Sequence, residues 1–308
     1  MNAAVQSPSR SVFASPRLVT RLEDCAFYHT IDVPGYGTVS GPWDLRGQVD
    51  TYLGGIDLRG KRVLELGTAS GFLCVEMEKR GAEVVAYDLS EDYDGELVPF
   101  PQYRETSPEP DRRAFVRRMN NAWWLVHRAF QSYARIVYGS VYDIPAGIGE
   151  VDVATFGSIL LHLCDPYRAL ASAAQLVRET IIVTDLAVHW ENRFPAPEPP
   201  TLPQPGGQRG RLLRIMHRLL GDPGWWNREE QLRKREATLR EVLNAPLAMF
   251  LPDTRDPSQD QTWWCFLPTA IIAMLGTLGF TKSTLTYSHG ALDHGRPTRL
   301  YTIVAHRP

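Results

Sequence analysis

The sequence predicts a doubly wound α/β fold: a mostly parallel seven-stranded sheet with an antiparallel last strand, an N-terminal arm and a helical insertion. From residue 61 onward, short apolar runs alternate with longer segments of helical periodicity, a pattern typical of parallel strands joined by helical crossovers. The first run breaks into a glycine turn, VLELGTASGF, and the chain closes with two β-branched runs, KSTLTYS and RLYTIVAHR. These last two runs predict a terminal hairpin.

The elements of the central part follow from their residue patterns. Continuous apolar or β-branched runs predict strands that are covered on both faces. These strands are 61–66, 83–88, 134–140, 151–157 and 180–186. Segments with apolar residues three and four positions apart predict the connecting helices. These helices are 71–81, 111–131 and about 166–177.

The flanks of this unit differ in character. Residues 1–60 precede the first strand and are predicted to form an arm or cap. Residues 187–250 are predicted to be an insertion, because a proline-rich stretch that is typical of an extended linker opens it. Its predicted elements are the linker 192–208 and the helices 209–221 and 228–246. The catalytic domain is then 61–186 with 251–308, and Pro268 suits the start of its last helix.

Composition places the chain among globular proteins. It has 308 residues, 44% of them hydrophobic, and a formal net charge of -2, which does not favour a polyanion as partner. The four cysteines are far apart in sequence and suggest neither a disulfide framework nor a zinc site, and no metal-ligand spacing is recognisable. No apolar stretch approaches the length of a membrane span. We therefore expect a cytoplasmic protein without membrane attachment.

The glycine turn indicates a nucleoside ligand. Gly67 and Gly71 have the spacing G-x-x-x-G, and Ala69 takes the place of the middle glycine of the dinucleotide fingerprint. Asp88 ends the next strand about 20 residues after Gly67, where an acid accepts hydrogen bonds from ribose hydroxyls. Glu65, beneath the turn, disfavours a pyrophosphate but suits an ammonium group. The ligand predicted from these residues is S-adenosylmethionine (SAM).

Four motifs resemble those of the class I SAM-dependent methyltransferases, which have a Rossmann-like fold. They are ELGTASG, the strand that ends in Asp88, YGSVYDIP and FGSILLHLCDP. The resemblance covers about 61–186 and 262–308. The segments FYHTIDVPGYGTVSG, MNNAWWLVHRAF and TWWCFLPTAI are similar to the branch of bacterial proteins related to the tRNA wobble-uridine (carboxy)methyltransferases. Many members of that branch are expected to act on acceptors other than tRNA.

The resemblance implies which residues bind SAM. The methionine part would lie against the backbone of Gly67, Thr68 and Ala69, with Glu65 and Gly71 in support. S-adenosylhomocysteine (SAH), the product that SAM leaves after methyl transfer, would occupy the same site.

The resemblance also implies the contacts of the rest of the cofactor. Asp88 would hold the ribose, and Asp143 would accept a hydrogen bond from the exocyclic amine of adenine. The other implied contacts line the adenine ring or the sulfonium centre, and they are Leu89, Val141, Tyr142, Phe156, Gly157 and Ser158.

Three residues are candidates for removing a proton from the acceptor. His162 follows the fourth motif strand, and His29 and Tyr28 lie in the arm. Imidazole titrates near neutral pH and suits this role. Each also has a structural interpretation, because His162 lies in the apolar run SILLHL and the other two can pack the arm.

Two differences from the enzymes that use carboxylated SAM favour ordinary SAM as the cofactor. The carboxy-SAM enzymes have a tyrosine directly before the histidine of the fourth motif and a lysine ahead of the sheet. This chain has Leu161 before His162, and no lysine precedes Lys61.

The leading functional prediction is a methyltransferase that acts on a small acceptor, with a hydroxyl oxygen of a specialised metabolite as the favoured target. A tRNA-modifying enzyme is the second alternative. A nucleotide-dependent oxidoreductase and a catalytically silent SAM-binding protein are two further ones. The insertion carries four arginines that suit a lid, an anion clamp or an RNA contact, namely Arg209, Arg211, Arg214 and Arg218.

Overall fold

The computed structural model describes residues 11–92, 96–101, 109–187, 244–256 and 260–308. Within them, the strands are β1 (Ile31–Val33), β2 (Gly37–Val39), β3 (Trp43–Asp44), β4 (Arg62–Leu66), β5 (Glu83–Asp88), β6 (Arg135–Tyr138), β7 (Val151–Gly157), β8 (Val177–Leu186), β9 (Ala248–Phe250), β10 (Trp264–Phe266), β11 (Lys282–Asp293) and β12 (Arg296–His306). The helices are α1 (Val49–Tyr52), α2 (Phe72–Lys79), α3 (Glu109–Ala129), α4 (Pro166–Ala174) and α5 (Pro268–Thr277).

The main sheet has the strand order β3-β11-β12-β8-β7-β4-β5-β6. Strands β4 to β8 pair in parallel, whereas β12 is antiparallel to both β8 and β11. The order reverses between β4 and β7, because the chain builds β5 and β6 on one side of β4 and then β7 and β8 on the other. Ligands of open α/β sheets bind at such a reversal, outside the carboxyl ends of the strands.

Both faces of the sheet are covered by apolar layers. One layer joins α1, α2, α3 and the arm to side chains such as Val63, Val84 and Val153. The other joins α4 and α5 to the alternate positions, such as Leu64 and Phe156. This two-sided cover explains why the parallel strands are continuous apolar runs in the sequence.

The predicted fold class is confirmed, with differences of detail. An eighth strand, β3, comes from the arm and pairs with β11 at the edge of the sheet. The predicted helix 166–177 ends at Ala174, because Val177 already pairs with Val151 as the first residue of β8.

Most of the predicted insertion lies outside the described residues. The linker 192–208 and the helix 209–221 lie outside the described residues, and so does the helix 228–246 apart from its last three positions. The domain limits at residues 60, 186 and 250 stay predictions. In the part of the chain that the structure describes, no helix has the length and apolar character needed to cross a membrane.

Candidate active site

A cavity of about 280 Å³ lies at the carboxyl ends of the strands, where the strand order reverses. It is lined by residues that follow or end β4, β5, β6 and β7. Eleven of the predicted site residues line it, namely Tyr28, His29, Gly67, Ala69, Asp88, Leu89, Val141, Tyr142, Gly157, Ser158 and His162. Five sequence-distant segments therefore meet in one site.

The glycine turn is held open towards the cavity by close packing. A β-carbon on Gly67 would come within 2.5 Å of Ile159 Cγ2, so only glycine fits there. Ala69 has φ +50°, the left-handed conformation that the missing middle glycine would adopt without strain. Its backbone N–H donates to Asp88 Oδ2 over 2.6 Å. This hydrogen bond offsets part of the strain and ties the turn to the next strand.

Asp88 is positioned by two backbone donors. Besides Ala69, the N–H of Leu89 donates to Oδ1 over 2.7 Å. Burial raises the pKa of Asp88, and these two hydrogen bonds oppose that rise. The carboxylate is thus held rigidly beside the cavity, with its remaining lone pairs available to a ligand.

Glu65 and Thr68 lie behind the turn. The Thr68 hydroxyl donates to Glu65 Oε2 over 2.6 Å, and both side chains are buried. Burial raises the pKa of Glu65 to about 8, although the bond from Thr68 acts in the opposite direction. Glu65 borders a separate void of about 10 Å³ with Tyr52 and Thr184, a volume that fits about one water molecule. Its predicted role towards the methionine ammonium stays a prediction.

Two other predicted contacts lie away from the cavity lining. Asp143 is exposed and lies outside the lining, because the loop after β6 presents Ser140, Val141 and Tyr142 instead. Phe156 is 1% exposed and packs in the core beneath the sheet. Its neighbours Gly157 and Ser158 reach the cavity, and Ser158 has φ +52°.

Gly157 and Gly71 are required by close neighbours. A β-carbon on Gly157 would lie 2.6 Å from the Tyr52 hydroxyl, and one on Gly71 would lie 3.0 Å from Trp123 Cδ1. Gly71 also has φ +85° at the start of α2. Gly71 supports the turn from behind, outside the cavity lining.

The arm forms a fixed wall of the cavity. The Ser70 hydroxyl accepts hydrogen bonds from the N–H groups of Tyr28 (3.2 Å) and His29 (3.4 Å). A β-carbon on Gly41 would lie 2.6 Å from their backbone atoms, so the connection between β2 and β3 packs directly against them. Ser70 could not be recognised as an anchor from local sequence, because its two partners lie 42 and 41 positions earlier in the chain.

The two arm residues are weak bases in this setting. His29 is 7% exposed, and burial lowers its pKa to about 4. No described residue bonds to its Nδ1. Burial raises the pKa of Tyr28, although a hydrogen bond with Trp43 lowers it. At neutral pH, His29 is therefore uncharged and Tyr28 keeps its proton.

His162 has a defined tautomer. Its Nδ1 lies 2.7 Å from the carbonyl oxygen of Gln261, which can only accept, so Nδ1 carries the proton and Nε2 keeps its lone pair. Burial lowers the pKa of His162; the bond to Gln261 raises it, and the charge of Arg112 lowers it further. The ring is thus neutral at pH 7 with one nitrogen able to accept a proton.

Several lining residues were not predicted from the sequence. Asn120 donates from Nδ2 to the carbonyl oxygen of Leu89 over 3.2 Å and lies on the cavity face of α3. The helical spacing of α3 indicated an apolar face, but it did not indicate that this face lines a cavity. The other unpredicted lining residues include Tyr52, Glu96, Arg112, Phe115, Met119 and Gln261.

A buried acid lies beside the site on the neighbouring strand. Asp185 is the second-last residue of β8, is 4% exposed and accepts one hydrogen bond, from Leu186 N–H over 2.7 Å. Burial raises its pKa to about 7. The protonated form therefore favours the folded state, and this contribution to stability is lost as pH rises from about 4 through about 7.

Asp185→Asn is expected to raise the melting temperature at pH 8, by about 2 °C or more, and to change it little at pH 4. Asp152→Asn is the control. Burial opposes ionisation of Asp152, but hydrogen bonds from Arg62 N–H and Arg178 outweigh burial and lower its pKa. Asp152→Asn should therefore lower the melting temperature of the protein at pH 8. Thermal melts at both pH values test this, and equal melting curves for wild type and Asp185→Asn at pH 8 would contradict it.

A larger depression, of about 390 Å³, lies at the opposite end of the sheet. Its charged groups include the 2.7 Å ion pair between Lys61 and Glu179. It is remote from the glycine turn, so we assign the chemistry to the smaller cavity.

The strand order, the glycine turn and the acid at the end of β5 define a class I SAM-dependent methyltransferase. The chain belongs to the family described as "Methyltransferase domain", whose model matches residues 45–281. This assignment excludes the oxidoreductase alternative and identifies the chain as an enzyme whose methyl donor is SAM and whose product is SAH.

Solved structures of other proteins are similar to this chain at low identity. The N-terminal domain of EvdMO1, in the presence of SAH and D-fucose, has 14% identity and a TM-score of 0.47, with 93% of each chain covered. Magnesium protoporphyrin IX methyltransferase from Synechocystis PCC 6803, with bound SAH, has 14% identity and a TM-score of 0.43, with 85% of this chain and 83% of that chain covered. Among curated proteins, none matches the sequence.

Proposed function

We propose that the enzyme transfers the methyl group of SAM to a hydroxyl oxygen of a small-molecule acceptor. The observation that carries this proposal is the character of the cavity. Its outer wall is apolar, with Phe115, Val116 and Met119 from α3, and Arg112 is its single Lys or Arg side chain among the described lining residues. A nucleic-acid substrate would require many more cationic contacts.

The residues present fit SAM. Asp88, whose orientation is set by two backbone donors, would accept hydrogen bonds from the ribose hydroxyls. The backbone of Gly67, Thr68 and Ala69 would hold the methionine part, and Gly67 has no β-carbon to narrow the approach. Glu65 and Gly71 support this turn from behind.

The ends of β5 and β6 would hold the adenine ring. Leu89, Val141 and Tyr142 line that part of the cavity. Asn120 holds the carbonyl of Leu89 and so keeps this wall in place. Gly157 and Ser158, at the end of β7, would then face the sulfonium centre.

When bound, SAM supplies an activated methyl group and leaves as SAH. The residues of the chain align the acceptor hydroxyl with that group, exclude water and take up the proton. His162 is the proposed proton acceptor, because its Nδ1–H is committed to Gln261 and Nε2 remains basic. Tyr28 and His29 form the wall of the arm and position the acceptor by hydrogen bonds in their neutral forms.

The proposed division of the chain assigns a role to each flank. Residues 1–60, of which Tyr28, His29 and Tyr52 line the cavity, would cap it, and the insertion 187–250 would serve as a lid for the acceptor site. Relation to the wobble-uridine branch would instead make tRNA the acceptor, with the arginines of the insertion as its contacts.

Incubation with methyl-labelled SAM, a fractionated metabolite extract and, in parallel, bulk tRNA tests the proposed function. We expect label in a small-molecule fraction and none in tRNA. The Asp88→Ala variant is the control for transfer that depends on the proposed SAM site. Label found only in tRNA would overturn the small-molecule assignment. Absence of labelled product from both incubations would contradict the proposed reaction.

A further inference from the structure

A short segment between β5 and α3, residues 96–101, is fixed beside the cavity, and its first residue, Glu96, lines it. The Trp263 Nε1–H donates to the carbonyl oxygen of Glu96 over 2.9 Å, and Val98 N–H donates to the carbonyl oxygen of Asp260 over 2.8 Å. The side chains of Val98 and Phe100 are buried. The backbone at Glu96 therefore has a defined position relative to the site.

The Glu96 carboxylate is also oriented. Its Oε2 accepts hydrogen bonds from the Cys164 N–H over 2.7 Å and from the Tyr142 hydroxyl. These bonds come from the loops that follow β7 and β6. Both bonds are made to Oε2. Among the described residues, none donates a hydrogen bond to Oε1.

Glu96 and Asp88 are the two carboxylates among the described residues that line the cavity. Asp88 is engaged at the end of β5, whereas Glu96 lies next to Tyr142, in the part of the cavity that we assign to adenine. Asp143, the acid expected there from the sequence, is exposed and outside the lining. Ser140 and Val141, which do reach the cavity, carry no carboxylate.

We propose that Glu96 Oε1 accepts a hydrogen bond from the exocyclic amine of adenine and so selects an adenosyl over an inosyl ligand. This inference rests on the proposed placement of SAM. The chemistry of the two bases makes it specific: adenine presents a donor at position 6, whereas hypoxanthine presents a carbonyl oxygen that a carboxylate repels.

The test compares binding of SAH and S-inosyl-L-homocysteine by calorimetry, which requires no turnover. The wild type is expected to favour SAH. Glu96→Gln replaces the carboxylate by an amide that can also donate a hydrogen bond. The ratio of the dissociation constants of the inosyl ligand and SAH is therefore expected to fall about tenfold or more. Glu96→Ala is expected to weaken SAH without any gain for the inosyl ligand. Asp143→Asn, the matched control, is expected to leave both affinities unchanged.

A preference that Glu96→Gln leaves intact, at unchanged melting temperature, would overturn the proposal. Narrowing by Asp143→Asn would do the same and would restore the acid expected from the sequence. If Glu96→Gln weakens both ligands equally, the carboxylate only fixes the loops through Tyr142 and Cys164, and the proposal is wrong. An error in the proposed position of SAM can be told apart from an error in the role of Glu96. If the cofactor is bound elsewhere, SAH affinity will be insensitive to Asp88→Ala.

Discussion

Replacement of Asp88 by alanine is expected to weaken SAM binding by about 10- to 100-fold, the range typical of a lost hydrogen bond to a charged group. The structure adds a second cause. The Asp88 carboxylate accepts from the N–H of Ala69, which holds a left-handed conformation at the centre of the glycine turn. Loss of the carboxylate thus removes the ribose acceptor and loosens the turn. Calorimetric titration with SAM and SAH measures the effect.

Asp88→Asn is an informative companion variant. Each carboxylate oxygen of Asp88 faces a backbone N–H, from Ala69 or from Leu89. The amide nitrogen of asparagine must therefore meet another donor, whichever way the side chain is turned. We expect Asp88→Asn to weaken binding about as much as Asp88→Ala. Wild-type affinity in both variants would show that Asp88 is only a turn residue.

Replacement of His162 by alanine is expected to lower the rate of methyl transfer by about a hundredfold, the lower range for a general base. SAM affinity and melting temperature should change little, because the ring is half-buried and makes one hydrogen bond, to Gln261. His127→Ala is the matched control. The His127 ring also bonds a carbonyl, that of Ala134, but it stacks on Trp123 outside the cavity lining.

The pH dependence distinguishes a base from a packing residue. His162 must be neutral to accept a proton, and its pKa is lowered by burial and by Arg112. The acid limb of the rate profile is therefore expected below pH 6.5, and this limb should disappear in His162→Ala. If the variant instead loses several degrees of melting temperature and keeps its turnover, His162 is structural. The proton acceptor would then be His29, whose ring is uncharged at neutral pH, or Tyr28 at a pH high enough to ionise it.

The sequence by itself determined the class of fold and the core of the proposed cofactor site. Strands covered on both faces must be apolar at every position, so β4 and β7 were recognisable from local pattern. The glycine turn and the acid at the end of the next strand were recognisable for a similar reason. Backbone conformation at Gly67 and the parallel pairing of β4 with β5 place Asp88 beside the turn whatever the rest of the chain does.

Only the tertiary structure decided which side chains complete the site. Asp143 and Tyr142 are adjacent in sequence, yet the path of the loop after β6 exposes one and turns the other into the cavity. Glu96 reaches Tyr142 and Cys164 across 46 and 68 positions of sequence. Local spacing cannot encode such contacts, because they depend on how loops of irregular conformation are anchored over the ends of the strands. For the same reason, burial, and with it the proton affinities of His29, His162 and Asp185, became known only from the packed structure.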